Sequence, residues 1–166
     1  MAIGDGVRIR HIAADDWDEI AALEAETYRD SGLSEGRAAL ESRAQASPAT
    51  CFVLDLGTRI AGYVLTLPYP PYQYPDLHEP ERGAFASRNL HLHDLVIGAD
   101  RRGRGMARLL LDHLTAAVRA AGYEQISLVA VGGSDTFWSA QGYGALPEVA
   151  LPESYGPKAI YMSRAI

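Results

Sequence analysis

Apolar and polar residues alternate with a period of two from Val7 to Ile12, and the pattern then changes to helical spacing through Trp17, Ile20, Leu23 and Tyr28. The change predicts a strand followed by a helix, with Asp15 and Asp16 as its capping acids. A second helix is expected from Ser34 to Ala46. Two strands, Thr50 to Leu56 and Arg59 to Leu67, flank Gly57-Thr58 and read as a hairpin. Pro68-Tyr69-Pro70-Pro71-Tyr72-Gln73-Tyr74-Pro75 cannot lie inside a sheet, because each proline removes a ladder donor, so a loop should run to about Arg88. Asn89 to Ile97 is the next strand. Met106 to Ala121 repeats apolar residues on one helical face (Ala107, Leu110, Leu111, Leu114, Ala117, Val118, Ala121) and is stopped by Gly122. A strand from Gln125 to Val131, a short helix from Ser134 to Gln141 ending at Gly142, and β-prone residues around Val149 and Ile160 to Met162 complete the chain. The order β-α-α-β-β-β-α-β-α-β-β predicts an α/β fold, a mixed sheet with helices on both faces.

A length of 166 residues suits one domain spanning 1–166. With 15 basic and 21 acidic residues the formal charge is −6, which disfavours nucleic acid and anionic membranes as partners and suits a cationic small molecule. Cys51 is the only cysteine, so no internal disulfide and no multi-cysteine zinc site is expected, and a reducing cytoplasm is the natural location. Met1 to Gly6 lacks the basic and apolar regions of an export signal, and no run of eighteen apolar residues marks a membrane span.

The stretch richest in chemistry is Arg101-Arg102-Gly103-Arg104-Gly105-Met106-Ala107, between a strand and a helix. Its glycines let the backbone approach a ligand closely, and the first free amides of the helix point at whatever sits there, for which phosphate is the favoured guest. A P-loop needs Lys and Ser/Thr after its last glycine, and a dinucleotide fingerprint wants a small residue where Arg108 stands; neither fits.

Arg102-Gly103-Arg104-Gly105-Met106-Ala107 resembles the R/Q-x-x-G-x-G/A loop of the Gcn5-related N-acetyltransferases (GNAT). Leu90 to Ile97 is similar to that family's preceding strand, and Phe137-Trp138-Ser139-Ala140-Gln141-Gly142-Tyr143 to its late helix with a Gly-aromatic end. The resemblance implies a mostly antiparallel mixed sheet and acetyl-CoA as co-substrate. It further implies that the main chain of Leu95, Val96 and Ile97 pairs with the pantetheine arm, while Arg102 and the amides from Gly103 through Arg104, Gly105 and Met106 to Ala107 hold the phosphates. The reaction implied is direct attack of a neutral amine on the thioester, with a backbone amide near the strand end steadying the oxyanion. The acceptor expected is a small primary amine, and the protein a monomer or homodimer without a metal. Competing readings are a protein lysine or N-terminal acetyltransferase, a non-catalytic acyl-CoA-binding regulatory domain, and a nucleotide-binding module using the glycine loop.

Direct transfer needs a base. On a regular strand His91 and His93 share one face, with Leu90 and Leu92 on the other, and imidazole titrates near neutrality. The His-x-His pair is similar to that of the arylalkylamine acetyltransferases, which implies a proton relay. A metal site on His91 and His93 lacks a nearby third ligand. Asp94 falls on the leucine face, where an acid must be paired or neutral, unless a β-bulge turns it into the cleft and makes it a second base candidate.

Two departures from the family pattern stand out. Trp138 occupies the place of the tyrosine that commonly protonates the leaving thiolate, and indole has no proton to give; Trp138 is then core or a wall of the thioester pocket, with Tyr143 and Tyr155 as substitute acids. Val131-Gly132-Gly133 replaces a common pantetheine-binding Asn. The three tyrosines between Pro68 and His78 are candidates for lining the amine pocket, as an alternative to an exposed loop or subunit contact. Glu24, Glu26 and Tyr28 border it by analogy, against the plainer reading of a solvated helix face.

Overall fold

The computed structural model describes residues 2–3 and 6–166; Met1, Gly4 and Asp5, part of the stretch read for an export signal, lie outside the described residues. The strands are β1 (Ala2–Ile3), β2 (Val7–His11), β3 (Phe52–Asp55), β4 (Ile60–Pro68), β5 (Asn89–Ile97), β6 (Gln125–Ala130), β7 (Gly144–Ala145) and β8 (Ile160–Ala165). They form one sheet in the order β1-β2-β3-β4-β5-β6-β8-β7, antiparallel throughout except between β5 and β6. The helices are α1 (Trp17–Thr27), α2 (Arg37–Ala46), α3 (Met106–Ala120) and α4 (Asp135–Ala140). No helix among the described residues is long and apolar enough to cross a membrane.

Two cores divide the sheet's faces. Trp17 and Ile20 of α1 and Leu40 and Ala44 of α2 pack on Val53, Tyr63, Leu65 and Val96. On the other face Leu110, Leu114 and Val118 of α3, with Trp138 of α4, cover Phe52, Val64, Leu90, Leu92 and Ile126. The central strand β4 is buried along its whole length, which is why its sequence is a mostly apolar run, broken only by Thr66, rather than an alternation.

Local chemistry corrects several expected boundaries. Asp15 and Asp16 do not cap α1 with their side chains; they sit in a 3₁₀ turn, where Asp16 accepts the Ala13 amide at 2.7 Å and pairs with Arg10 at 2.7 Å. The second helix starts at Arg37 rather than Ser34, because Gly36 at φ 89° breaks the run before it. Residues 48–50 form another 3₁₀ turn begun by Pro48, so β3 starts at Phe52. Pro68 ends β4, where a missing donor costs least. Val149 is not in a strand; its amide donates to the Leu146 carbonyl in a turn, and the strand there is the short β7.

Candidate active site

The site begins where two neighbouring strands part. β5 and β6 pair from Asn89↔Gln125 to Leu92↔Leu128; beyond that β6 pairs only with β8 and β5 only with β4, up to Gly62↔Ile97. The edge of β5 facing β6 is therefore without a strand partner from His93 to Ile97. A cleft of about 580 Å³ fills this splay, walled by residues 92–97 on one side and by Leu128, Val129, Val131 and Gly132 on the other. Gly62 keeps the intact side tight, since a Cβ there would stand 2.6 Å from the Val96 carbonyl oxygen.

One end of the cleft meets the glycine loop. Gly103 (φ 76°) and Gly105 (φ 75°) are both left-handed, a conformation that favours glycine, and Gly105 is the residue from which α3 starts. Leu109 is the first amide to find an intrahelical acceptor, the Gly105 carbonyl at 3.1 Å, so the amides of 106–108 open the helix toward solvent. No protein atom lies within 4 Å of where a Cβ would stand at Gly103 or Gly105. Arg102 lines the cleft with its Nε donating to the Ile97 carbonyl at 2.9 Å, and Ala107 lines it as well, whereas Arg104 is exposed. An open, amide-lined helix start beside an unpaired strand edge fits a chain ending in phosphates.

The other end is acidic and buried. β5 carries one extra residue, His93, between the pairs Leu92↔Thr66 and Asp94↔Leu65. This bulge turns the strand's alternation over, so Asp94 stands on the α1–α2 face with Tyr63 and Val96 and not on the Leu90/Leu92 face. There its carboxylate accepts the hydroxyls of Tyr28 and Tyr63, each at 2.6 Å. Burial pushes the Asp94 carboxyl up to about 6, against the opposing pull of His93 and both hydroxyls. Burial beside Asp94 pushes both tyrosines well above their ordinary range.

The two histidines have different surroundings. His93 lines the cleft, with Nε2 2.5 Å from Glu35 Oε2, and its buried Nδ1 has no partner among the described residues. His91 does not line the cleft, which corrects the expectation that both imidazoles open on it. It lies in the paired part of β5, opposite Ser127, whose hydroxyl is 3.0 Å from its Nδ1, and its ring packs between Tyr69 and Tyr161. Burial, aided by the charges of His93 and Arg43, lowers its pKa to about 3, so it stays neutral.

Of the substitute acids, Tyr143 packs edge-on against Trp138 in the α3-side core and does not line the cleft. Tyr155 does line it, but its hydroxyl donates to the Pro75 carbonyl at 2.5 Å, and burial raises its pKa further. Trp138 is buried and forms part of the wall. Tyr69, Tyr72 and Tyr74 do not line the cleft, a second correction: Tyr69 donates to Glu81, Tyr74 donates to the Ala150 carbonyl, and Tyr72 is exposed. The loop's contribution to the cleft is Leu77.

Sequence reasoning missed Glu35 and Arg43. Arg43 is fully buried on α2, 2.6 Å from both Glu35 and Glu81 and 2.9 Å from the Asp76 carbonyl. Burial opposes the charge on Glu35, but His93 and Arg43 outweigh it and hold the carboxyl below its ordinary range. Glu24, also buried, accepts the Ser34 hydroxyl at 2.5 Å and the Glu35 amide at 2.6 Å, which fixes the segment carrying Glu35.

Comparison with known proteins gives the same outline. The profile of the Acetyltransferase (GNAT) family matches residues 17–143. No curated protein sequence matches significantly. Among solved structures, Ard1 from Thermoplasma volcanium is 15% identical with a TM-score of 0.72, covering 97% of this chain and 98% of that one. The loading GNATL domain of CurA from Lyngbya majuscula is 16% identical with a TM-score of 0.76, over 96% and 97%. N-acetylglutamate synthase from Neisseria gonorrhoeae, complexed with coenzyme A and N-acetyl-glutamate, is 18% identical with a TM-score of 0.72, over 96% of this chain and 35% of that one.

Proposed function

This chain belongs to the acetyltransferase (GNAT) family, and from that premise we propose that it moves an acetyl or related acyl group from coenzyme A to the primary amine of a small molecule. The observation that carries this reading is the unpaired edge of β5 from His93 to Ile97, running from a glycine-rich helix start to a buried group of Glu35, His93 and Asp94. Acyl-coenzyme A, when bound, would supply a thioester carbonyl; the chain's residues bind, orient and move a proton. The unpaired edge of β5 along Leu95, Val96 and Ile97 is placed to extend the sheet onto the pantetheine arm, with the Ile97 carbonyl already accepting from Arg102, and Arg102 and the amides up to Ala107 are placed for its phosphates. An ammonium entering the acidic end is attracted by Glu35 and Asp94. It must lose a proton before it can attack, and the unpartnered Nδ1 of His93 is the acceptor best placed to take it, with Asp94 second. Tyr143 stands outside the cleft and the Tyr155 hydroxyl is committed to the Pro75 carbonyl, so neither is placed to protonate the sulfur, and a thiolate of pKa about 8.5 leaves tolerably without help.

The test is a thiol-release screen with acetyl-CoA against small amines and against peptides with free lysine or N-terminal amines, beside a thermal-shift titration with coenzyme A. Turnover on small amines supports the reading. Turnover on peptides alone replaces the acceptor class, and stabilisation by coenzyme A with no turnover on any amine replaces the enzyme with a binding domain.

A further inference from the structure

We infer that Glu35 is the positioning residue of the reaction: it holds His93 with the proton on Nε2, leaves the Nδ1 lone pair for the amine, and stabilises the imidazolium that forms. The inference rests on the acyltransferase reading and deepens it. Its ground is a chain of buried contacts, none of which the GNAT-like loop or strand pattern requires. His93 Nε2 lies 2.5 Å from Glu35 Oε2, and the other oxygen of that carboxylate accepts from Arg43 at 2.6 Å. Arg43 is in turn held by Glu81 at 2.6 Å and by the Asp76 carbonyl. Tyr69 donates to both oxygens of Glu81, at 2.7 and 2.8 Å. Behind Glu35, the Glu24 carboxylate fixes its amide. Glu35 can neither rotate nor withdraw without breaking a buried charge-assisted bond.

The arrangement has the logic of a carboxylate–imidazole pair. A carboxylate only accepts, so a neutral ring must present N–H to it, which places the ring's lone pair on the other nitrogen. That nitrogen is the buried Nδ1 without a partner, an otherwise costly state for a polar atom. In the step itself an N–H bond of the ammonium breaks, an Nδ1–H bond forms, and the freed pair on the amine nitrogen becomes the nucleophile. The imidazolium then donates from Nε2 to Glu35 and later returns its Nδ1 proton to solvent. Tyr28 just past the end of α1, Asp94 of β5 and Tyr155 of the 3₁₀ turn 153–155 line this end of the cleft with His93 and Glu35, while Arg43 of α2, His91 of β5 and Glu24 face the pair from behind the wall.

The experiment is long-range ¹H–¹⁵N correlation of the imidazoles in the intact wild-type protein, at a pH where the rings are neutral. The His93 signals are assigned by their loss in His93→Asn. Protonation on Nε2 is expected, and protonation on Nδ1 in the wild-type protein overturns the proposal. In kinetics, Glu35→Gln is expected to lower kcat/KM by about 10- to 100-fold with acetyl-CoA affinity unchanged, and Glu35→Asp to recover part of the loss. Glu35→Gln with wild-type kcat/KM and an unchanged ring tautomer also overturns it. A wild-type protein that releases thiol with no amine defeats the acyltransferase reading instead, while the tautomer still decides what Glu35 does.

Discussion

Replacing Asp94 with Asn should make the protein more stable at high pH and less so, relative to wild type, at low pH. The carboxyl has two hydroxyl donors but is otherwise buried, and burial lifts it from its ordinary 3.8 to about 6. A carboxyl raised on folding binds its proton more tightly in the native state, so its contribution to stability is complete below 3.8 and is lost as pH rises through about 6. At about 1.4 kcal/mol for each pH unit, the ionised group costs the native state about 3 kcal/mol, of which about 2 kcal/mol develops between pH 4.5 and 8. Asn keeps the shape, an acceptor oxygen and a donor for the second tyrosine, and does not ionise. Urea unfolding of both proteins at pH 4.5 and pH 8 measures the difference. The Asn variant should gain about 2 kcal/mol on wild type across that interval, about 1 M in midpoint for an m-value near 2 kcal/mol per M. All other titrating groups are common to both proteins and cancel. Parallel pH profiles would refute the reasoning, because they would mean that the carboxyl is as well solvated folded as unfolded.

Gly105→Val should abolish the rise in melting temperature produced by coenzyme A, since a β-branched residue at φ 75° distorts the loop from which α3 starts; full retained affinity removes the loop from the site. His93→Ala should lower kcat/KM by about 100- to 10,000-fold with acetyl-CoA affinity intact, whereas His91→Ala, which empties a buried site, should cost about 2–4 kcal/mol in denaturant melts and little in rate once folded. The reverse ranking makes His91 the base and the cleft geometry irrelevant. Trp138→Phe should retain most of the turnover, and a thousandfold loss at unchanged donor affinity contradicts a wall role. Arg43→Met should destabilise by about 3–5 kcal/mol in urea melts by stranding Glu35 and Glu81 without their shared cation; a change within 1 kcal/mol shows that the pair is solvated.

The order of helices and strands along the chain and the phosphate-type loop were legible in the sequence because they depend on local patterns: the apolar stripe of α3, the alternation in β2, two glycines ahead of a helix. The face shared by His91 and Asp94 was not, because the bulge at His93 arises from the pairing of β5 with β4, and alternation within a single strand carries no trace of its partner's register. The depth of His91 was hidden for a related reason. The cleft opens only past Leu92↔Leu128, and where two strands part is decided by the second strand. Glu35 and Arg43 gave no signal at all. An acid just before a helix and an arginine within one read as surface residues, and only the folded path of residues 28–36 and 76–81 closes charge around them.

The extra residue in β5 also acts as a parity switch on everything downstream. Before it, even-numbered positions such as Leu90 and Leu92 serve the α3 core; after it, Ile97 does, and Asp94 and Val96 go to the other side. Were His93 instead to pair with Leu65 in a regular ladder, Asp94 would fall opposite Val64, its carboxylate would turn toward the α3 core, and Tyr28 and Tyr63 would be left without an acceptor. In mutational terms, deletion of His93 should leave Asp94 opposite Leu65 with both hydroxyls in place and take only the imidazole from the cleft, so the extra residue serves the site and not the packing of the sheet.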